Sequence, residues 1–153
     1  MPAVVTRSLL RAPAGDVWRH ASSMDGVNWE LSPFVEMTVP RAARGLTIAD
    51  APTGVVAFRS VLLAFGFLPF DVHSLRLETV SPPKGFAEES TSWLQRRWRH
   101  ERTITPLDGG GCELVDAVTV EPRLPGGALV VTKIVRAMFA WRHRRLRRRF
   151  GTA

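Results

Sequence analysis

Cysteine is nearly absent from this sequence, and that shortage narrows the chemistry open to the protein. Cys112 is the only cysteine among 153 residues, so an internal disulfide bond and a cysteine-based metal cluster are both excluded. No apolar run approaches the ~20 residues that a transmembrane helix needs. The nearest run, residues 55–70, is interrupted by Arg59, Gly66 and Pro69. The N-terminus shows no signal-peptide pattern, and we therefore expect a cytoplasmic protein.

Recognised motifs for cofactors and nucleophilic catalysis are also missing. The four histidines are scattered over four elements without the spacing of metal ligands. Residues 109–111 are glycines of a hairpin turn, and neither a P-loop nor a dinucleotide fingerprint is present. Ser90, His100 and Asp116 could approach one another, but no nucleophile elbow supports a catalytic triad. We expect no cofactor and no metal.

Lysine is scarce as well, although the chain is strongly basic. The formal net charge is +7, yet Lys84 and Lys133 are the only lysines and the other cations are arginines. Such a charge indicates an anionic partner. The arginines are densest at residues 142–149, which form either a solvated helix end or a surface that contacts an anionic membrane or nucleic acid. Nucleic acid is disfavoured, because no aromatic residues alternate with a basic strand face.

Length and composition indicate a single domain over residues 1–153. Hydrophobic residues make up 45% of the chain, enough to bury a core. Turn signals at residues 68–71 (LPFD), 81–85 (SPPKG) and 107–111 (LDGGG) separate apolar segments typical of strands. Two short helices are predicted at residues 13–21 and 26–31, after the first strand. Seven strands are predicted at residues 3–11, 34–39, 55–66, 72–80, 86–93, 97–105 and 112–121.

A long helix is predicted over residues 125–150, where apolar residues recur every three or four positions. It is the only element long enough to cover one face of an antiparallel sheet. Arg142 falls near the centre of the apolar stripe, so it either emerges at the edge of the helix or points into a cavity beneath it. The stripe consists of Val131, Ile134, Val135, Met138, Phe139, Leu146 and Phe150.

Several local stretches carry a family resemblance: residues 26–40 (GVNWELSPFVEMTVP), 86–90 (FAEES), 98–103 (WRHERT) and 139–146 (FAWRHRRL), with the strand around Asp116. They resemble the START/SRPBCC superfamily of polyketide cyclase-like and lipid-transfer proteins, and most of all a subgroup of small SRPBCC proteins. The resemblance implies an α+β helix-grip fold. In that fold, a seven-stranded antiparallel sheet wraps around the long C-terminal helix and leaves an apolar cavity between them.

Strand alternation sorts the charged residues of the predicted sheet by face. We place Glu88, His100, Arg102 and Asp116 on the covered face, where charges must be paired or hydrated. The LDGGG hairpin sets Arg102 opposite Asp116, and a connection centred on residue 95 sets Arg102 opposite Glu88. A Glu88–Arg102–Asp116 ladder is therefore predicted. It is either a structural salt-bridge network or a set of polar anchors and acid–base groups for a ligand.

The residues and the resemblance together favour binding of a hydrophobic small molecule such as a lipid, polyketide or isoprenoid. One alternative is a cyclase- or dehydratase-type enzyme in which His100, Glu88 or Asp116 supplies acid–base chemistry. A protein- or membrane-interaction module that uses residues 142–149 is a third. The sequence leans away from catalysis and leaves the oligomeric state open. The expected ligand-binding residues are Phe58, Leu62, Leu75, Glu88, Trp98, His100, Arg102, Leu114, Asp116, Val118, Met138, Phe139 and Arg142.

Overall fold

The protein folds into a curled seven-stranded antiparallel sheet and three helices, as a computed structural model that describes residues 3–153 shows. The strand order in the sheet is β1-β7-β6-β5-β4-β3-β2. This is the helix-grip α+β fold that was expected. The elements in chain order are β1 (Val4–Leu10), α1 (Ala14–Ala21), α2 (Met24–Leu31), β2 (Val35–Met37), β3 (Val56–Ala64), β4 (Leu68–Ser81), β5 (Gly85–Ser92), β6 (Gln95–Pro106), β7 (Cys112–Pro122) and α3 (Ala128–Phe150).

Alternation along β6 and β7 confirms the predicted faces. His100, Arg102 and Ile104 are buried, whereas the residues between them are exposed. On β7, every second residue from Cys112 to Val120 is buried. Successive side chains of a strand point to opposite faces of the sheet, so the pairing register of the strand determines the face on which each of its side chains lies.

The turn between β3 and β4 lies earlier than predicted. Residues 65–67 make it, and the LPFD segment belongs to β4. Phe65 and Gly66 both adopt positive φ (55° and 81°), which glycine tolerates without strain and phenylalanine does not. Pro69 lies near the start of β4, where β4 is paired with β3 but not yet with β5, so its missing amide hydrogen breaks no ladder bond to β5.

Helix α3 begins at Ala128, three residues later than predicted, because residues 123–127 form a turn. It ends at Phe150 and is capped by Gly151, whose φ of 77° suits a residue without a side chain. The Gly151 amide donates to the Arg147 carbonyl at 2.9 Å. The chain then returns to β1: the Arg11 amide donates to the Gly151 carbonyl at 3.0 Å. These bonds fix the C-terminal half of α3 over β1 and β7.

The basic end of α3 is less exposed than predicted. Arg145 and Arg147 are half-buried, and Arg148 and Arg149 are exposed. The Arg145 guanidinium lies over the Trp29 ring at 4.2 Å, so its charge and its stem both pack against protein. Of the two interpretations of residues 142–149, a fully solvated helix end is therefore wrong for Arg145 and Arg147. Within residues 3–153, no helix combines the length and the apolar character needed to cross a membrane.

Three apolar clusters form the core, and they divide the space beneath α3. The first joins β7 and β6 to α1 and the end of α3, and includes Leu114 and Leu146. The second packs the middle of α3 directly on β7, through Phe139, Val135 and Val118. The third, around Phe58, lies beside the short 3-10 helix Arg41–Ala43. The helix thus sits tightly on β7 and β1 but leaves space over β4, β5 and β6.

Candidate functional site: a cavity with a charged inner end

A cavity of about 340 Å³ lies in that space, between α2, α3 and the concave side of the sheet. Pockets of this size are typical of small-molecule sites. Most wall residues are apolar. The polar ones form two groups: Asp71, Ser92 and Gln95 lie near Leu94, and Glu88, His100 and Arg142 lie at the buried inner end. The lining residues are Met24, Val27, Leu31, Val35, Met37, Ile48, Leu62, Phe70, Asp71, His73, Leu75, Leu77, Phe86, Glu88, Ser92, Leu94, Gln95, Trp98, His100, Val131, Ile134, Val135, Met138 and Arg142.

The structure places only part of the predicted site on the cavity wall. The predicted residues that line it are Leu62, Leu75, Glu88, Trp98, His100, Met138 and Arg142. The others lie in packed protein instead, which corrects the expectation. Phe58 belongs to the cluster beside the 3-10 helix, and Leu114 belongs to the cluster under α1. Val118 and Phe139 pack against each other where α3 touches β7. Arg102 and Asp116 are buried below the cavity wall.

Arg102 is the centre of the charged network and is only 1% exposed. Its Nε and Nη2 donate to the two oxygens of Asp116, both at 2.8 Å. Its Nη1 and Nη2 also donate to Glu30 Oε2 and Oε1, at 3.0 and 2.8 Å. Two carboxylates therefore satisfy the guanidinium from two sides, an arrangement that holds both carboxylates in the charged form.

The predicted partner of Arg102 on β5 is wrong. Residue pairing sets Phe86, not Glu88, opposite Arg102, while Glu88 lies opposite His100. Glu30 of α2 takes the place that the ladder gave to Glu88. Asp116 is opposite Arg102 as predicted. A detectable signal for Glu30 was its position four residues after Gly26 and next to Leu31, on the buried face of α2.

The carboxylate of Asp116 has three side-chain hydrogen-bond partners, which are the guanidinium of Arg102 and two imidazoles. His100 Nε2 lies 2.7 Å from Oδ1, and His143 Nε2 lies 2.8 Å from Oδ2. Burial alone would raise the pKa of Asp116, but Arg102 and His100 outweigh it and hold that pKa well below its usual range. Asp116 is thus an ionised, fully buried acceptor that orients both histidines.

A Ser–His–Asp sequence of hydrogen bonds is present, but it does not face the cavity. Ser8 Oγ lies 2.7 Å from His143 Nδ1, and His143 continues to Asp116. Ser8 is 5% exposed, and its hydroxyl also accepts from Arg147 Nη1 at 2.9 Å. The arrangement locks α3 to β1 and β7 and offers no route to a substrate. Ser90, which the sequence placed near His100 and Asp116, donates instead to Glu88 at 2.6 Å.

Glu88 connects the network to the cavity wall. Its Oε2 lies 2.6 Å from His73 Nε2, and its Oε1 lies 3.8 Å from His100 Nδ1, which is an ion-pair distance rather than a hydrogen bond. Burial would raise the pKa of Glu88, but the His100 and His73 imidazoles reverse this and hold it well below its usual range. Burial would likewise lower the pKa of His100, yet Asp116 and Glu88 raise it.

These shifts agree with a simple charge balance. Glu30 and Asp116 are paired with the guanidiniums of Arg102 and Arg142. Glu88 is a third carboxylate, and its partners are the imidazoles of His73 and His100. One negative charge is left, and a protonated His100 between Glu88 and Asp116 neutralises it. A buried network of this kind is stable only when its charges are paired.

Arg142 points into the cavity, so the alternative that placed it at the edge of the helix is wrong. It is 6% exposed and lines the wall beside His100. Its Nε donates to Glu30 Oε1 at 3.1 Å, and its guanidinium carbon lies 4.8 Å from the centre of the Phe139 ring. Both contacts fix the direction in which the guanidinium points.

The cavity opens among exposed apolar side chains at one end of the sheet. The turns after β3, β5 and β7 meet there, because antiparallel neighbours bring these chain ends together. Phe70, Leu94 and Ile134 line the cavity and are also exposed, so they mark its mouth. We call the surrounding surface the apolar rim; it consists of Phe34, Phe65, Phe67, Leu68, Phe70, Trp93, Leu94, Leu124, Leu129, Val130 and Ile134.

The model of a protein family described as "Domain of unknown function (DUF8410)" matches residues 8–150 of this chain. The chain belongs to this family. No curated protein sequence matches it.

Solved structures show how widely the fold of this family member is shared. Protein CV1439 from Chromobacterium violaceum is 15% identical, with 100% of both chains covered and a TM-score of 0.73. A START superfamily protein from Mycobacterium smegmatis is 14% identical over 97% of this chain and 96% of that one, with a TM-score of 0.68. The Zhui aromatase/cyclase from Streptomyces sp. R1128 is 15% identical over 94% and 90%, with a TM-score of 0.66. These similarities identify the START-like, polyketide cyclase-like fold.

The site of this family member offers two kinds of chemistry. Its cavity can exclude water around an apolar molecule, and its inner end presents a fixed guanidinium and an imidazole. In the part of the chain that the structure describes, no three His, Cys, Asp or Glu side chains form a group that could hold a metal ion.

Proposed function

We propose that this protein binds a hydrophobic small molecule, of lipid, polyketide or isoprenoid type, in the cavity between the sheet and α3. The observation that carries the proposal is the cavity itself, about 340 Å³ with mainly apolar walls and an apolar mouth. Transfer of each CH₂ group from water into such walls contributes roughly 0.8 kcal/mol. A ligand with a short chain or ring system would therefore gain enough to bind.

The proposal is tested by filling the cavity. Met138 lies on its wall, and the adjacent Ala137 lies on the exposed side of the same helix. Met138→Trp should weaken binding of 1-decanol at least tenfold, measured by titration calorimetry, because the indole occupies the ligand volume. Ala137→Trp is the matched control and should bind as the wild type does. Equal affinity for all three proteins would contradict the cavity as the binding site.

Catalysis is a second candidate function, and the position of His100 favours it. Asp116 orients the imidazole through Nε2, which leaves Nδ1 turned toward the cavity and Glu88. A histidine held by a carboxylate in this way can exchange a proton with a bound molecule. Turnover of a cavity ligand by the wild type, with loss of turnover but not of binding in His100→Gln, would establish an enzyme. Unchanged ligand recovered after incubation would support binding alone.

An anionic membrane surface is the partner that the apolar rim supports. Phe67 and Trp93 are each 73% exposed, at the tips of two neighbouring hairpins. Three exposed cations, Arg96, Lys133 and Arg136, lie within two residues of rim positions in the chain, and one exposed carboxylate, Glu36, lies beside Gly66. Apolar tips bordered by basic residues are typical of proteins that bind at the membrane interface. This surface replaces residues 142–149 as the proposed contact, because Arg142, His143 and Leu146 of that segment are buried.

A further inference from the structure

Arg142 differs from the other buried arginine in how its donors are used. The donor groups of Arg102 are filled by two carboxylates. Arg142 donates through Nε to Glu30, and no described residue accepts from its Nη1 or Nη2. More than nine-tenths of the residue is nevertheless buried, and it lines the cavity. The unpartnered end of this guanidinium is therefore directed at the cavity.

The free end of the Arg142 guanidinium favours an oxygen ligand with a negative charge. The two Nη atoms reach cavity space rather than packed protein, so an oxygen acceptor that enters the cavity can bond to donors that no described side chain there accepts from. The two free nitrogens form the fork that matches the two oxygens of a carboxylate. Contacts with Glu30 and Phe139 hold the fork in place before any ligand arrives. No side-chain reorganisation is then needed on binding.

We propose that the cavity binds an apolar carboxylic acid, in its carboxylate form, with the carboxylate paired to Arg142 at the inner end. This inference rests on the proposed function and names the head group of its ligand. A phosphate monoester fits less well, because the buried charges of the inner end already balance: a carboxylate adds one negative charge to them, and a phosphate monoester would add up to two. His100, beside Arg142 on the wall, supplies a further donor for the carboxylate.

The direction of the chain follows from the helix. Met138, Ile134 and Val131 line the cavity at four, eight and eleven residues before Arg142, toward the mouth. At about 1.5 Å per residue, Arg142 and Val131 are separated by roughly 16 Å along the axis. An extended hydrocarbon chain that starts at Arg142 therefore runs along one apolar face of α3 to the rim.

The test compares decanoic acid with 1-decanol, which share a chain and differ in the head group. Calorimetry at pH 7 on the wild type should show the acid binding at least tenfold more tightly than the alcohol, since a charge-assisted fork contributes about that much. Arg142→Met should lose the preference and keep the affinity for the alcohol. Arg136→Met is the control, because Arg136 is exposed on the same helix; it should retain the preference.

Each outcome separates the head group from the cavity. Equal binding of acid and alcohol by the wild type would overturn the inference and leave the proposed function intact. Binding of neither would overturn both. A preference that survives in Arg142→Met would also overturn the inference.

A second measurement needs no variant. Decanoic acid labelled with ¹³C at the carboxyl should remain ionised in the complex to a lower pH than in water. Burial and the Glu30 and Glu88 carboxylates raise its pKa, and we expect Arg142 and His100 to outweigh them, as the cations of the network do for Glu88 and Asp116. A bound carboxyl that titrates at or above its free value would contradict the pairing with Arg142.

Discussion

Replacement of Arg102 by methionine tests the charged network, because methionine keeps the length of the stem and removes all donors. Four hydrogen bonds to Asp116 and Glu30 would be lost. Asp116 would retain the two histidines, but Glu30 would retain only Arg142 and the more distant His20, 3.8 Å away. Glu30 is thus the group left with an excess of buried charge.

The size of the effect follows from what Glu30 can do. It can stay charged and underpaired, or it can take up a proton from a solution near pH 7, about 2.5 pH units above its reference pKa of 4.5. At about 1.36 kcal/mol per pKa unit, protonation costs roughly 3.4 kcal/mol. This agrees with the ~3–5 kcal/mol observed when one partner of a buried pair is removed. For a chain of this length, a melting temperature lower by about 6–20 °C follows.

Arg99→Met is the matched control, since Arg99 lies on the same strand and the opposite face. It bonds to Glu78 and Glu89 at 2.8 Å, but its side chain is 28% exposed and the partners reach solvent. Exposed pairs of this kind contribute about 0–1 kcal/mol. Urea denaturation of both variants should therefore show a several-fold larger loss for Arg102→Met. Equal losses would refute the assignment of Arg102 to the interior.

Three shorter predictions concern pH, the helix end and the rim. The pKa of His100 is raised on folding, so its contribution to the free energy of unfolding is fully present below pH 6.5 and is lost as the pH rises through the raised value. His100→Gln should therefore lower the free energy of unfolding more at pH 6 than at pH 9. A larger loss at pH 9 would contradict this. Arg147→Gln should lower the melting temperature more than Arg148→Gln does, because only Arg147 bonds to Ser8; equal shifts would show that this bond contributes nothing. Phe67→Asp should reduce sedimentation with vesicles of phosphatidylcholine and 30% phosphatidylglycerol, whereas Val5→Asp, an exposed control on β1, should not; vesicle binding that Phe67→Asp leaves intact would exclude the rim.

The sequence predicts best what depends on local alternation. The faces of β6 and β7 follow from the period of two, and the glycine-rich turn sets the register between them, so the Arg102–Asp116 pair was accessible without a structure. The register of β5 was missed by two residues, because the turn is the pair Trp93 and Leu94 and a bulge follows it. A shift of two keeps side chains on the same face. Glu88 is therefore buried as predicted but has different partners.

Contacts between elements far apart in the chain could not be predicted from the sequence in this way. Glu30, Ser8 and His143 reach the network from α2, β1 and α3. Their meeting depends on how each helix is rotated and on which strands lie beneath it, and neither follows from a local pattern. The same limit applies to the cavity wall. Val118 and Leu114 face the covered side as predicted, but α3 and α1 fill the space above them.

The central claim is that the cavity holds a hydrophobic ligand, and native mass spectrometry of the protein purified from its own host tests it most directly. We expect the wild type to carry a small apolar acid that is released on denaturation. The Met138→Trp variant, prepared in parallel, should show the mass of the bare chain. A wild-type protein that carries nothing, and that also fails to take up decanoic acid or 1-decanol when they are added, would contradict the account.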